Sequence, residues 1–395
     1  MGRTSIYMII GFSTIFLFVG KNMTSVSVQA LDNALNYYEG SQRYNIAGAG
    51  ANFACTALFL DKYWRTGYSN VSFNSGSFTV SVADTTLQRV KIISTGTYQN
   101  SSNTVIVILQ PSSFSKFAYF SDNEPSTISW LTGDTVWGPY HSNTKLYYSG
   151  NPVFHGKVTT RTGRSGSGSP RYFGGYETGV HLPMPTDLAP TKDSAISRGH
   201  YQATTDTVWA TFNTDGTITV KVGAAAPTTT ALTTYAPNGV ITFEGAILRL
   251  KGTVNGQASI SSLTNGGGQG GRVFIDDDIK YKSNPLTNPS SMDVLGIIAT
   301  KEILIANTTA NNTTGVDVQA ALYSQTKGLG AQNITSGGTK GSLRLLGGTT
   351  QGQRQIVISG GHGYTKSYNY DNRLMGMSPP GFPLTGGFEI VSWLE

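Results

Sequence analysis

The sequence has little cysteine, little charge and, over its first 110 residues, no proline. Cys55 is the only cysteine among 395 residues, which excludes an intrachain disulfide framework and any multi-cysteine zinc site. Charged residues make up 13%, about half the ~25% of an ordinary globular domain, and this excludes a coiled coil and a charge-rich disordered chain. The 48 glycines lack a strict every-third spacing, so the chain is not collagen-like. The abundant residues are glycine, serine, threonine, asparagine and tyrosine, which indicates a β-rich surface or extracellular protein.

The excess of positive charge is scattered along the chain. Lys and Arg number 28 against 22 Asp and Glu, for a formal net charge of +6, yet no run of five like charges occurs. A nucleic-acid interface needs basic residues that cluster. We therefore expect a mildly basic surface and no nucleic-acid partner.

The N-terminal segment is apolar. From Thr4 to Gly20 there is no charged residue, and these seventeen residues are at the short end for a membrane span, which needs about 20. Beyond them the apolar residues keep a helical spacing, at Val26, Ala30, Leu31, Ala34 and Leu35. We predict one helix from about Thr4 to Leu60, roughly 85 Å long. Its weak points are three glycines, Gly40, Gly48 and Gly50.

Two interpretations of this helix are open. It is either an uncleaved signal anchor with a short stalk, or a helix that leaves the membrane and buries its apolar half against copies of itself. We favour assembly over the anchor alone. The side chains expected to make the helix contacts are Ile6, Ile9, Ile10, Phe12, Ile15, Phe16, Val19, Val26, Ala30 and Leu31.

After Trp64 the apolar spacing changes from helical to alternating. The segment Asn74-Ser75-Gly76 lies between two alternating runs and predicts a hairpin, and Asp215-Gly216 predicts another with a type I′ turn. Residues 248–260 alternate for thirteen residues with small residues inward, which suits a β-solenoid or stacked sheet, although we find no fixed-period repeat. The predicted fold is α+β. Its predicted divisions are a helix over 1–62, a β-rich region over 63–245 and a solenoid-like region over 246–395.

The motifs that carry chemistry are weak. Residues 265–271 (NGGGQGG) satisfy a glycine-rich dinucleotide pattern, but a strand follows where a helix is needed, so no cofactor is expected. Asp276-Asp277-Asp278 could attract calcium, and Asp276 and Asp278 would share one strand face, yet the spacing of an EF-hand is missing. We expect no metal site, with Asp276 and Asp278 as weak candidates. No arrangement typical of a hydrolase appears, and we expect no catalytic residues.

Tyrosine is abundant, with 20 residues. One interpretation is an amphipathic adhesive surface that stacks on sugars, and the other is ordinary cross-strand pairing. Pairing is the interpretation we favour. The tyrosines concerned are Tyr147, Tyr148, Tyr364, Tyr368 and Tyr370.

Four parts of the chain are distinctive as sequence. They are MGRTSIYMIIGFSTIFLFVG with NIAGAGANFACTALFLD at residues 45–61, TGDTVWGPYHSNTKLYYSGNPVFHGKVTT at 132–160, DDIKYKSNPLTNPSSMDVLGIIATKEILIA at 277–306 and GYTKSYNYDNRLMGMSPPGFPLTGGFEIVSWLE at 363–395. Together they resemble a bacterial family of type IV pilin-like, PilX-like surface proteins. The resemblance implies a membrane-inserted helix that carries an exported β-rich domain, an association with pilus-like machinery, and no enzymatic activity.

The sequence departs from standard type IV pilins at three points. Gly11-Phe12 matches their cleavage dipeptide, but the preceding residues 6–10 are apolar where a pilin leader is basic. Phe16 stands where pilins have a glutamate, and the C-terminal cysteine pair is missing. These departures weigh against processing at Gly11.

The expected function is that of a structural subunit of an extracellular type IV pilus-like filament. Its expected partners are copies of itself in a helical homopolymer, the pilus assembly machinery, the inner membrane before assembly, and surface glycans. The alternatives are a monomeric, membrane-anchored surface adhesin or glycan-binding protein, and a polysaccharide-active β-solenoid. The expected location is the cell surface or the extracellular space.

Overall fold

The computed structural model describes residues 2–85 and 89–395. The chain folds into two compact units, of which one is Met1–Pro111 with Gly386–Glu395 and the other is Ser112–Thr385. A long N-terminal helix is followed by strands over most of the chain, which confirms the predicted α+β class.

The smaller unit is a helix packed on an antiparallel sheet. Helix α1 spans Gly2–Leu60. The strands pair in the order β1-β2-β3-β4-β30. Their bounds are β1 Tyr68–Phe73, β2 Gly76–Asp84, β3 Val90–Tyr98, β4 Ser101–Ser113 and β30 Leu384–Leu394. Alternate residues of β3 are buried, as expected for a sheet with one face on the core.

The first predicted hairpin is confirmed. Strands β1 and β2 pair antiparallel with Phe73 opposite Gly76. Asn74 and Ser75 form the two-residue connection, and both have positive φ, at 46° and 62°. Two residues of positive φ match the right-handed twist of the flanking strands.

The larger unit is built from short strands that stack in parallel. Its first part contains β5 Tyr119–Asn123, β6 Trp130–Leu131, β7 Thr135–Val136, β8 Tyr140–Ser142, β9 Leu146–Ser149, β10 Val153–Phe154, β11 Val158–Thr160, β12 Arg164–Ser167, β13 Arg171–Tyr172 and β14 Tyr176–Thr178. Its second part contains β15 His200–Ala203, β16 Val208–Phe212, β17 Thr217–Val222, β18 Thr228–Ala231, β19 Val240–Glu244, β20 Ile247–Val254, β21 Gln257–Leu263, β22 Arg272–Tyr281, β23 Val294–Ala299, β24 Glu302–Ile305, β25 Val316–Ser324, β26 Leu329–Ala331, β27 Thr339–Gln353, β28 Ile358–Ser359 and β29 His362–Asn369. The helices are α2 Ala189–Arg198, α3 Leu232–Tyr235 and α4 Thr309–Thr314, with 3-10 turns at Phe114–Lys116 and Asn372–Met375.

One parallel ladder runs through both parts of this unit. Its order is β15-β19-β21-β23-β25-β27-β5-β8-β11-β14. The step from β27 to β5 places Thr349 opposite Tyr119, so the coil near residue 350 stacks directly on the first coil of the unit. A second parallel ladder runs β16-β20-β22-β24-β26. The stacked, solenoid-like sheet predicted from the sequence is therefore confirmed, and it also includes residues 119–178.

Residues 135–178 form a repeat of 18 residues that the sequence pattern did not reveal. Tyr140 pairs with Val158 and Val158 with Tyr176, while Thr135 pairs with Val153 and Val153 with Arg171. Each pair is 18 residues apart. The equivalent positions share neither identity nor size class, and for this reason no repeat is visible in the sequence.

Stacked side chains hold successive coils of this repeat together. The Tyr119 and Tyr140 rings stack with centroids 5.2 Å apart, and Phe154 stacks on Tyr172 at 5.5 Å. Gly138, Gly156 and Gly174 form a glycine column, because a Cβ added at Gly156 would lie 2.2 Å from the carbonyl carbon of Gly138. Coil contact at this column therefore requires glycine.

Two features of the second part differ from the sequence interpretation. The alternating run 248–260 is two strands, β20 and β21, separated by a corner at Gly256, whose φ of 118° favours glycine. The Asp215-Gly216 hairpin forms between antiparallel β16 and β17, but only Gly216 has positive φ there. The connection spans residues 213–216 and is not the expected two-residue type I′ turn.

The division predicted at 245/246 differs from the compact units of the structure. It falls inside the larger unit, where β16 pairs with β20 and β19 pairs with β21 across that point. A cut there would break both parallel ladders. The physical reason is that consecutive coils of a stacked sheet share one core.

The glycine column generates a first prediction. Gly156→Ala should lower the free energy of unfolding by about 1–3 kcal/mol, since the added methyl group forces adjacent coils apart. Gly266→Ala is the matched control, because nothing lies within 4 Å of a Cβ added there. Urea unfolding of the full chain in detergent measures both variants. Equal stability of the two would contradict a column that needs glycine.

His141 generates a second prediction, on pH. Its side chain is fully buried, with Nδ1 2.7 Å from the Thr159 hydroxyl and Nε2 2.8 Å from Asn143 Oδ1. Burial lowers the pKa of His141 from its usual 6.5. Because the folded-state pKa is depressed, its stabilising contribution is complete above pH 6.5 and is lost as pH falls through the folded-state value.

We expect the stability difference between the wild type and His141→Gln to shrink as the pH is lowered from neutral towards 5. Urea unfolding at a series of pH values measures this difference. A difference that is independent of pH would mean that His141 does not titrate differently in the folded and unfolded chain.

Candidate assembly surface

Helix α1 has two environments along its length. Residues 46–58 bury one face in the core of the smaller unit, at Ile46, Ala47, Ala51, Ala54 and Leu58. Residues 2–38 are exposed around the whole helix except for partial cover at Gly11. One continuous helix therefore joins a packed half to a half without packing partners in the described chain.

The packed half is held closely against the sheet. A Cβ at Gly96 of β3 would lie 2.4 Å from the backbone nitrogen of Ala47, and one at Gly50 would lie 2.5 Å from the Ser94 hydroxyl. The buried Ser94 hydroxyl donates a hydrogen bond of 2.7 Å to the Ala47 carbonyl. Glycine on both surfaces thus lets the helix backbone approach the strand.

The exposed half carries the side chains that the sequence assigns to assembly. They range from 48% exposed at Val19 to 74% at Phe16, and Ala30 is exposed as well. Burying one large apolar side chain contributes about 1.5–3 kcal/mol. The ten residues are Ile6, Ile9, Ile10, Phe12, Ile15, Phe16, Val19, Val26, Ala30 and Leu31. Their use in assembly remains a proposal, but their burial within this chain is excluded by the described structure.

The same half is long and apolar enough to cross a membrane, by length and composition. Its uncharged stretch Thr4–Gly20 spans about 25 Å at 1.5 Å per residue, against ~30 Å for the hydrocarbon core. The Thr14 hydroxyl donates to the Ile10 carbonyl at 2.9 Å, and Thr24 donates to the Gly20 carbonyl at 2.8 Å. These hydroxyls are satisfied by their own helix, which suits an apolar environment.

Glycines in this half have no packing reason inside the chain. Nothing lies within 4 Å of a Cβ built at Gly11 or at Gly20. Small residues on an apolar helix let a second helix approach its backbone closely. Gly11 and Gly20 are therefore suited to contacts outside the chain.

Two opposite charges interrupt the exposed half. Lys21 and Asp32 are the charged residues between Arg3 and Glu39, and both are exposed. Within the described residues neither forms an ion pair, whereas Glu39 pairs with Arg43 along the helix at 3.6 Å. Lys21 and Asp32 are eleven residues apart, so they lie about 20° apart around the helix and about 16.5 Å apart along it. We missed this pair in the sequence, where the helical spacing of opposite charges could have revealed it.

The weak metal candidates pair with cations. Asp276 lies 2.6 Å from Arg249, and Asp278 lies 2.5 Å from Lys280 and accepts a hydrogen bond from the backbone of Asp317 at 2.8 Å. Among the described residues no group of three His, Cys, Asp or Glu side chains could hold a metal ion. The acidic run is therefore neutralised by basic side chains.

The tyrosines do not form the adhesive surface that we weighed. Tyr364 and Tyr370 are buried, and Tyr147, Tyr148 and Tyr368 are half-buried. The Tyr370 hydroxyl donates to the Lys116 carbonyl at 2.7 Å. Their contribution is largely to packing within the larger unit.

Comparisons with known proteins give one weak likeness. No protein-family model matches the chain, and no curated protein matches it. Among solved structures, the competence-associated pilin ComZ from Thermus thermophilus matches with a TM-score of 0.35 and 14% identity, covering 90% of this chain and 96% of ComZ. A likeness of this size supports no conclusion about this chain. The resemblance to PilX-like proteins remains a prediction.

The contact between α1 and β3 generates a third prediction. Gly96→Ala should destabilise the smaller unit by about 1–3 kcal/mol, because the added methyl group meets the helix backbone. Gly48→Ala is the control on the helix itself, where nothing lies within 4 Å of the new Cβ. It should stabilise the helix by up to about 1 kcal/mol. Urea unfolding measures both, and a neutral Gly96→Ala would contradict the close packing of helix and strand.

Proposed function

We propose that the protein is a non-catalytic structural subunit of an extracellular type IV pilus-like filament, which assembles through residues 2–38 of α1. The observation that carries the proposal is the exposure of apolar side chains around the whole of this helix half. A rigid helix with apolar residues on every side needs an apolar environment on every side. Lipid meets this need before assembly, and the helices of several neighbouring copies meet it afterwards.

The mechanism we propose is an exchange of surroundings. Lipid around residues 6–19 is replaced by the apolar faces of other copies. Since lipid tails are as apolar as these side chains, the gain comes from close helix packing, for which Gly11 and Gly20 leave room. The strand-rich remainder of the chain is carried outside the helix core.

Lys21 and Asp32 supply a register for that packing. All copies insert into one membrane with the same orientation, so their helices are parallel. A shift of about 16.5 Å along the axis places Lys21 of one copy beside Asp32 of the next. A charge left unpaired among apolar helices would be costly, and pairing it favours this one shift. Because each copy has both charges, the contact repeats in a head-to-tail manner and forms an open assembly.

A charge-exchange series tests the proposal. Lys21→Asp and Asp32→Lys should each reduce the yield of filaments about tenfold or more, because like charges at close contact cost several kcal/mol. The double variant Lys21→Asp/Asp32→Lys should restore the yield. Negative-stain electron microscopy of the fraction sheared from cells measures it.

The wild type separates the two levels of the proposal. Dispersed particles from wild-type cells would contradict the filament and support the monomeric membrane-anchored adhesin. Wild-type filaments that all three variants form equally well would contradict the charge register alone. Glu39→Gln is the matched control, because its partner Arg43 lies on the same helix and its loss should leave filament yield unchanged.

A further inference from the structure

Exposed aromatic rings form a ladder along one edge of the 18-residue repeat. The Trp137 ring stacks on the His155 ring with centroids 4.1 Å apart and planes 2° apart, and His155 stacks on Phe173 at 5.1 Å and 11°. These residues directly follow the equivalent strands β7, β10 and β13. Trp137 is 52% exposed and Phe173 is 65% exposed. Three rings are thus held flat and parallel at the surface, with their orientation fixed by the strands.

Trp137 is the last ring at one end of the ladder. Its strand, β7, is the end strand of the sheet β13-β10-β7, so no further coil of that sheet covers the indole. The indole instead lines a cleft closed on its other side by residues 366–369 of β29. The ring is therefore available to a ligand while His155 supports it from behind.

The cleft combines this ring with balanced polar groups. Lys366 Nζ lies 2.8 Å from Asp134 Oδ1, and both side chains are partly exposed, at 24% and 15%. The other lining residues carry no charge and include Thr135, Ser367 and Asn369. Asp134 offers acceptors, Lys366 offers donors and Asn369 offers both.

We infer that this cleft binds a neutral sugar unit of a polysaccharide, stacked on Trp137 and hydrogen-bonded by Asp134, Lys366 and Asn369. A sugar ring has an apolar face that suits an indole and a rim of hydroxyl groups that both donate and accept hydrogen bonds. An anionic ligand fits poorly, because the one cationic side chain that lines the cleft is already neutralised by Asp134. The inference concerns the larger unit and does not depend on filament assembly.

The test uses the full chain in a detergent without a sugar headgroup. Isothermal titration calorimetry is performed with neutral oligosaccharides of glucose, galactose, mannose and N-acetylglucosamine. At least one should bind, and Trp137→Ala should weaken that binding tenfold or more. The double variant Asp134→Asn/Lys366→Gln should weaken it several-fold.

Phe173→Ala is the matched control, since it removes an exposed ring of the same ladder outside the cleft and should leave affinity unchanged. Unchanged circular dichroism of each variant establishes that folding is retained. The inference is overturned if none of these oligosaccharides binds, if Trp137→Ala binds as tightly as the wild type, or if both ring variants lose affinity equally. It is also overturned if only a sulfated polysaccharide such as heparin binds.

Discussion

The structure depends on a single helix whose two halves face different surroundings. The second half of α1 meets β3 so closely that Gly50 and Gly96 admit no side chain. The first half continues the same backbone with nothing of the described chain around it. Since one half is fixed by its own sheet, the other half projects in a defined direction from that sheet. Its apolar side chains are therefore presented to an environment that the chain itself does not supply.

The larger unit is stabilised by repetition and owes nothing to disulfides. With one cysteine in the sequence, its order comes from parallel backbone ladders and from side chains that stack on their equivalents in the next coil. Each coil contacts mainly its neighbours, so the arrangement behaves as a one-dimensional stack. The step from β27 to β5 joins the two parts of the stack, and this makes the ends of the sequence in the unit adjacent in space. A cleft can form at such a junction because the coils on its two sides differ in size.

Local patterns predicted local structure well. The absence of proline and the helical spacing after Lys21 predicted a helix close to the observed Gly2–Leu60, and Asn74-Ser75 predicted the turn between β1 and β2. Nonlocal pairing was beyond reach. Tyr140, Val158 and Tyr176 occupy one position of the repeat but differ too much to be recognised. The pairing of Asp276 with Arg249 likewise depends on β20 and β22 lying side by side, which the sequence does not indicate.

The exposed aromatic ladder and the exposed helix have different physical origins, and this bears on how each surface can be used. Rings at Trp137, His155 and Phe173 satisfy one another by stacking, so the surface is ordered before any ligand arrives. Such preorganisation reduces the entropy that binding must overcome. The side chains of residues 2–38 lack this mutual support, and their contacts form only when other molecules surround them. A rigid, partly polar surface suits a soluble ligand of modest affinity, whereas an apolar rod suits a permanent neighbour. Substitutions in one surface should therefore leave the chemistry of the other unchanged.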